Sequence, residues 1–273
     1  MRVARFVLSF FLILSCPPYL SSQQSVGTPQ RDPLAVNLLA QSLAAAGGSA
    51  VTAIQDFTGT GTITYNWAGE AVTGSVKVCG KGLDEFRIDS SVSAGNESLV
   101  VNGKQAILTP VYDKKPKFSI HGMMTAGSLT FPAVRIAQVL SDSSIRVVYM
   151  GSVTWNGSQA YQVHVAFPLD PRLAVTPRSL GMGEFDLYFD QASYRILGLA
   201  EKIWWDDDLR QSYLHELLYS DYQLVNGILV PFTITEKMGG QQTWSITLTS
   251  LTFNTGLSDL LFKLDPLENS PEG

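Results

Sequence analysis

The stretch Tyr222-Gln-Leu-Val-Asn-Gly-Ile-Leu-Val-Pro231 places two apolar runs on either side of an Asn-Gly pair. Asn226-Gly227 supplies the two positive φ angles of a type I′ turn, so this stretch predicts a tight β-hairpin. Gly239-Gly240 predicts a second turn. The strands after these two turns carry apolar residues at every second position, namely Ile228, Val230, Phe232 and Ile234, then Trp244, Ile246 and Leu248. Residues 213–253 are therefore predicted to form three antiparallel strands with one buried face.

An earlier segment, residues 57–67, alternates threonine or asparagine with apolar residues or glycine. Such continuous alternation predicts a half-buried antiparallel strand. The inward face would carry Phe57, Gly59, Gly61, Ile63, Tyr65 and Trp67. Two glycines on an inward face predict a bend or the close approach of another element.

The remaining chain reads as short strands separated by glycine and asparagine turns, with two short helices. Asp32 and Pro33 are typical of an N-cap and a first helical position, so a helix is predicted over 33–46, and a second over 132–140. No βαβ alternation is present. We therefore predict a mainly β protein of about 11–12 strands, a single curved antiparallel sheet forming an open (half) β-barrel with the two helices on its concave face. A closed lipocalin-type barrel or a two-sheet sandwich also fits the pattern.

The N-terminus has the features of an export signal, because Arg2 and Arg5 precede a short apolar run that is too short to span a bilayer. Cleavage near Ser22 would release the protein, whereas a lipobox-like sequence ending at Cys16 would give a lipid-anchored one. The predicted organisation is a signal peptide (1–22), a linker (23–31), one half-barrel domain (32–265) and a disordered tail (266–273). The expected location is the periplasm.

Catalytic and cofactor-binding motifs are absent from the sequence. His215-Glu216 begins like a zinc-protease motif, but its second histidine is missing, and the three histidines are interpreted as ordinary surface or half-buried residues. Asp206-Asp-Asp208 favours a charged hairpin turn over a calcium site. We predict no enzyme activity, no metal and no cofactor, although a hydrolase triad assembled from distant residues remains a third hypothesis. The net charge of −5 argues against nucleic acid or an anionic membrane as the main partner.

The apolar inward face is the candidate binding site. In a curved sheet its concave side needs filling, and two short helices leave open whether an apolar cavity remains. The alternative is an ordinary packed core, which would by itself justify the large side chains. The predicted ligand-binding residues are Phe57, Ile63, Tyr65, Trp67, Phe86, Phe185, Leu187, Phe189, Phe232, Ile234, Trp244 and Ile246. The long segment 110–131 is interpreted as a solvated loop or as a lid over that space.

The order of these elements resembles the periplasmic outer-membrane lipoprotein carriers, the LolA-like superfamily. The likeness lies in the leader, the helix at 33–46, the strand at 57–67 and three later segments, together with Phe262 near the end. Those segments are Glu184-Phe-Asp-Leu-Tyr-Phe-Asp190, residues 219–231 and Ile246-Thr-Leu-Thr-Ser-Leu-Thr-Phe-Asn254. The resemblance covers about 33–67 and 145–262, while 102–131 and 168–182 are longer than in a typical carrier. It implies an unclosed barrel that shelters acyl chains on its concave face.

The expected function is therefore that of a monomeric, non-enzymatic bacterial envelope protein, which binds acyl chains of lipid or lipoprotein and carries them between membranes. The alternative is a structural or interaction module on the same scaffold, with a packed core and an envelope protein as partner. An open cavity of a few hundred Å³ would favour the first, and a filled core the second.

Overall fold

The structure, a computed structural model, describes residues 30–67, 69–103, 105–119, 122, 125, 131–168, 183–204 and 211–264. The predicted signal peptide, Cys16, the Asp206–Asp208 turn and the C-terminal tail lie outside these residues. Within them, 13 strands form one antiparallel sheet, slightly more than the 11–12 predicted. The strands are β1 (Asp56–Trp67), β2 (Glu70–Lys81), β3 (Glu85–Val92), β4 (Gly95–Asn102), β5 (Gln105–Thr109), β6 (Lys117–Phe118), β7 (Arg146–Trp155), β8 (Ser158–Ala166), β9 (Glu184–Asp190), β10 (Ile196–Trp204), β11 (Ser212–Val225), β12 (Ile228–Met238) and β13 (Gln241–Phe253).

The sheet consists of two meanders that join at its centre. Its order is β6-β5-β4-β3-β2-β1-β13-β12-β11-β10-β9-β8-β7, so β1 pairs with β13 and the two halves of the chain run outward from that pair. Strands β6 and β7 form the two edges, and they do not pair with each other. The prediction of a single open sheet is therefore confirmed, and the closed barrel and the two-sheet sandwich are wrong.

The hairpin at Asn226-Gly227 forms as predicted. The φ angles of these residues are 51° and 83°, and Val225 pairs with Ile228 across the turn. Gly239-Gly240 makes an equivalent turn, with φ angles of 56° and 82°. The three strands predicted for residues 213–253 are thereby confirmed as β11, β12 and β13.

The central pair β1–β13 depends on a glycine. A Cβ atom on Gly61 would lie 2.1 Å from the carbonyl oxygen of Thr247 and 2.7 Å from the Cα atom of Leu248. The register between the strands also shifts between Thr60 and Gly61. The predicted close approach is thus confirmed at Gly61, because only a residue without a side chain lets the two backbones meet there.

Three helices are defined within the described ranges, α1 (Pro33–Ala46), α2 (Ser49–Thr52) and α3 (Pro132–Ser141), and a 3₁₀ turn follows at Asp259–Phe262. The two longer helices match the predicted ones. Asp32 caps α1 as predicted, since its Oδ1 accepts a hydrogen bond of 2.9 Å from the amide of Leu34. Helix α1 contacts α3 and strands β7 and β12, so the helices cover the half of the concave face that belongs to the C-terminal meander.

Arg31, near the start of the described chain, binds the C-terminal end of α3 and the residues that follow it. Its guanidinium donates hydrogen bonds to the carbonyl oxygens of Val139, Asp142 and Ile145, at 3.1, 2.7 and 2.9 Å. The carbonyls of Val139 and Asp142 lie at the C-terminal end of α3, where helical acceptors lack intrahelical donors, and the carbonyl of Ile145 directly precedes β7. The backbone beside Arg31 also forms a parallel bridge to Val147, which partly covers the edge strand β7.

Candidate functional site

All twelve residues predicted to bind a ligand lie in one apolar cluster on the concave face. Three of them are half-buried, namely Trp67, Ile234 and Trp244. The other nine are buried, namely Phe57, Ile63, Tyr65, Phe86, Phe185, Leu187, Phe189, Phe232 and Ile246. Their shared face is as predicted, but the structure divides them between a filled region and an open one.

The filled region lies at the middle of the concave face. The rings of Phe57 and Phe131 meet edge to face at 4.6 Å, and Phe131 contacts Phe253 at 5.6 Å. A void beside them, lined in part by Phe57, Phe86, Ile234 and Ile246, has a volume of about 20 Å³. That is room for about one water molecule. The aromatic residues here, and the fully buried Leu187 and Phe189, therefore belong to the packed core.

The open region is a cavity of about 350 Å³ at the other end of the same strands. This volume lies within the roughly 300–1,000 Å³ typical of small-molecule pockets. The apolar residues that line it are Ile63, Tyr65, Trp67, Ile88, Leu99, Leu108, Met238 and Trp244. The polar ones are Asn66, Glu97, Ser119, Thr125, Glu236 and Thr243. Four of the twelve predicted residues thus line the cavity, namely Ile63, Tyr65, Trp67 and Trp244.

One polar feature of the cavity wall is a tyrosine–glutamate pair. The hydroxyl of Tyr65 donates a hydrogen bond of 2.9 Å to Glu97 Oε1 and lies 3.0 Å from Ser90 Oγ. Burial raises the pKa of Glu97, against the lowering effect of the Tyr65 hydrogen bond. Burial and the nearby Glu97 charge raise the pKa of Tyr65 as well, so its hydroxyl stays protonated and acts as a donor.

A second polar feature is an array of one histidine and two glutamate side chains on adjacent strands, in which His215 and Glu236 are buried and Glu201 is half-buried. His215 on β11 is fully buried, and its two ring nitrogens each lie 3.0 Å from a carboxylate oxygen, of Glu201 on β10 and of Glu236 on β12. Thr243 donates a further hydrogen bond to Glu236 Oε2. Because Glu236 lines the cavity, the array extends from the core to the cavity wall.

The charge state of this array follows from its contacts. Burial alone would lower the pKa of His215, but the hydrogen bonds and charges of Glu201 and Glu236 outweigh it and raise this pKa to about 9. His215 is therefore an imidazolium at neutral pH that donates from both nitrogens. The half-buried Arg135 of α3 adds a second positive charge near Glu201, and its guanidinium stacks over Phe167 and Phe185.

Comparison with family models and with curated proteins finds no match. Solved structures do match. A domain named for outer membrane lipoprotein sorting, from Vibrio parahaemolyticus, has a TM-score of 0.50 and 14% identity over 84% of this chain and 96% of its own. A LolA superfamily protein from Nitrosomonas europaea has a TM-score of 0.51 and 11% identity over 84% and 97%. This chain has a LolA-like fold. A DUF1329 family protein from Desulfovibrio piger shares it, with a TM-score of 0.52, 14% identity, and coverage of 87% and 100%.

The LolA-like fold was predicted, but the His215 array was not, and the interpretation of His215 as a surface or half-buried residue is wrong. A signal was present in the sequence. Glu236 follows Ile228, Val230, Phe232 and Ile234 at the next inward position of β12. A charged residue on an apolar strand face requires a buried partner. Which residue pairs with it depends on the register of three strands, which local patterns do not give.

Metal sites, membrane-spanning helices and the remaining described histidine complete the description of the site. In the part of the chain that the structure describes, no group of His, Cys, Asp and Glu residues is arranged to hold a metal ion. None of the helices in the described ranges has the length and hydropathy needed to span a bilayer. His164, the other histidine in those ranges, is half-buried and lies 2.9 Å from Asp186 Oδ1 on the neighbouring strand.

Proposed function

We propose that this protein is a non-enzymatic envelope protein that binds an acyl chain of lipid or lipoprotein in the 350 Å³ cavity and carries it between membranes. The observation that carries the proposal is the cavity itself. It opens on an apolar face in a fold shared with a lipoprotein-sorting domain, and aromatic and aliphatic side chains dominate its wall. Such a lining stabilises a methylene chain by about 0.8 kcal/mol for each buried CH₂ group.

The ligand-binding residues in this proposal are the cavity-lining members of the predicted set. Trp67 and Tyr65 stack on each other at 4.9 Å, which gives the cavity one flat aromatic wall. Trp244 lies between the cavity and the small void beside it, so its rotation would connect the two spaces. The eight other predicted residues support the site through core packing.

The alternative function, a packed structural or interaction module, has its own supporting observation. The middle of the concave face is filled, with a residual void of only about 20 Å³. A protein whose cavity stays empty in the cell would fit this second function. Export to the periplasm, with release near Ser22 or a lipid anchor at Cys16, is part of the proposal in either case.

The test is native mass spectrometry with lipid extraction on protein purified from its own cell envelope. We expect co-purifying phospholipid or acylated peptide with the wild type and its loss with Trp67→Asp, which puts a charge on the aromatic wall. Leu224→Asp is the matched control, because Leu224 is 72% exposed and does not line the cavity. Thermal unfolding checks that both variants are folded.

Either outcome is informative. Wild-type protein that carries no lipid, or lipid retained equally by the folded Trp67→Asp variant, would refute the acyl-binding proposal and leave the packed module. The same measured mass shows whether the leader is cleaved near Ser22 or Cys16 is lipidated.

A further inference from the structure

A basic, aromatic loop lies at the border of the cavity, between β5 and β6. It contains Tyr112-Asp-Lys-Lys-Pro-Lys-Phe118, in which three lysines and one aspartate give a local net charge of +2. The whole chain has a net charge of −5. All three lysines are exposed, and the side chains of Tyr112 and Phe118 are 75% and 41% exposed.

The loop has a defined shape. The amide of Lys114 donates a hydrogen bond of 3.1 Å to the carbonyl oxygen of Pro110, which closes a turn, and Lys114 itself has a φ of 54°. A positive φ is uncommon for a residue other than glycine, so the backbone of this turn has a specific, left-handed conformation at Lys114. Pro116 then restricts the backbone ahead of β6.

The loop is directly connected to the cavity. The ring of Tyr112 lies 5.4 Å from that of Trp67, which lines the cavity. Lys117 pairs in register with Leu108, another cavity residue, and Ser119 follows it in the cavity wall. A surface that binds this loop would therefore lie next to the cavity.

We propose that this loop docks on an anionic membrane surface and brings the cavity against the bilayer. Lysines beside exposed aromatic rings are the combination that binds the interface of an anionic membrane, where the ammonium groups meet lipid phosphates and the rings sit at headgroup level. Each lysine near such a surface strengthens binding about fivefold. This docking goes beyond the proposed acyl binding and does not require it.

A simpler explanation of the lysines accounts for only part of the loop. Lysine on an edge strand often serves only to prevent aggregation. That accounts for Lys117, which lies on β6, but not for Lys114, Lys115 or the exposed Tyr112, which precede it. The acidic balance of the whole chain does not oppose local docking, because charges farther away than about 8 Å are screened at physiological salt.

The experiment measures vesicle binding by flotation at millimolar lipid, with phosphatidylglycerol-containing vesicles and pure phosphatidylcholine vesicles. All proteins carry Cys16→Ser, so that no lipid anchor contributes. Wild type is compared with Lys114→Glu/Lys115→Glu, and the control of equal charge is Lys202→Glu/Lys263→Glu, at two exposed lysines elsewhere. Lys117 is left unchanged because it lies near Glu97.

We expect wild type and control to bind the anionic vesicles, and the loop variant to have a partition coefficient at least about 30-fold lower. Raising the salt concentration should remove the difference. Equal binding by the two double variants, equal binding to both lipids, or no binding by wild type would overturn the proposal. Because acyl-chain binding is read separately by mass spectrometry, failure of docking does not depend on failure of the proposed function.

Discussion

The buried imidazolium of His215 makes a specific prediction about stability and pH. Its pKa in the folded protein is about 9, against 6.5 for an unperturbed histidine. Since one pKa unit corresponds to about 1.4 kcal/mol, protonation of His215 contributes about 3 kcal/mol to the free energy of unfolding. The folded pKa is raised, so this contribution is fully present below pH 6.5, decreases as the pH rises, and is lost above about pH 9.

The assay is urea unfolding at a series of pH values between 6 and 10 for wild type and His215→Gln. Wild type should lose about 3 kcal/mol across this range in excess of the variant. At pH 6 the variant should itself be less stable by about 3–5 kcal/mol, because it removes the charge of His215 that both the buried Glu236 and the half-buried Glu201 contact. If His215→Gln does not fold, Glu201→Gln keeps the histidine with one carboxylate partner and should shift the loss of stability to lower pH.

His164→Gln is the matched control for this experiment. His164 also has a raised pKa, caused first by its hydrogen bond to Asp186, but it is half-buried and solvent screens its charges. Its replacement should leave most of the pH dependence in place. A wild-type stability that is constant or rises between pH 6.5 and 9, or a slope that survives unchanged in His215→Gln, would refute this account of the array.

Two further predictions concern the framework. Gly61→Ala should destabilise the protein by about 3 kcal/mol in urea unfolding, because the added Cβ would collide with the backbone of β13. Gly59→Ala is the control and should cost far less, because its Cβ would contact only side chains, at 3.0 Å or more. Equal losses of stability in the two variants would contradict this prediction. Asp56→Asn should cost about 1–3 kcal/mol at pH 7, since the Asp56 carboxylate accepts hydrogen bonds from Thr255, Gly256 and Leu257. Burial raises the pKa of Asp56, but these hydrogen bonds outweigh burial and lower this pKa below its usual value. The stability difference between wild type and Asp56→Asn should therefore shrink as the pH falls below about 4. A difference that stays constant down to pH 2 would contradict this prediction.

The fold could be predicted from the sequence because its signals are local. Asn226-Gly227 defines a hairpin without reference to any distant residue, and the alternation over residues 57–67 defines which side of β1 is buried. Asp32 and Pro33 similarly locate the start of α1. These signals gave the element order and the shared apolar face.

The division of that face into a filled and an open region could not be predicted in the same way. Phe131 fills the middle of the concave face from the end of the segment 110–131, for which the sequence predicts only a solvated loop or a lid. The position of Phe131 depends on the path that this long connection takes. The connection has no helix-like or strand-like hydrophobic periodicity from which its path could be predicted. The pairing of Glu201 with His215 likewise depends on register across a hairpin whose turn has no type-specific pair.

The order of side chains along β12 connects the packed core, the charged array and the cavity. Ile228 lies under the helices, and Ile234 borders the void of about 20 Å³. Glu236 binds His215, and Met238 lines the cavity. Charged groups in an apolar interior cost several kcal/mol unless they are paired, so an acyl chain that enters the cavity would meet a polar layer at Glu236. Glu236 is thus the residue at which the array meets the cavity wall, while the basic loop contacts another part of that wall through the Tyr112–Trp67 ring pair. With a volume of about 350 Å³, at the lower end of the range for small-molecule pockets, the cavity would hold one acyl chain rather than several under the proposed function.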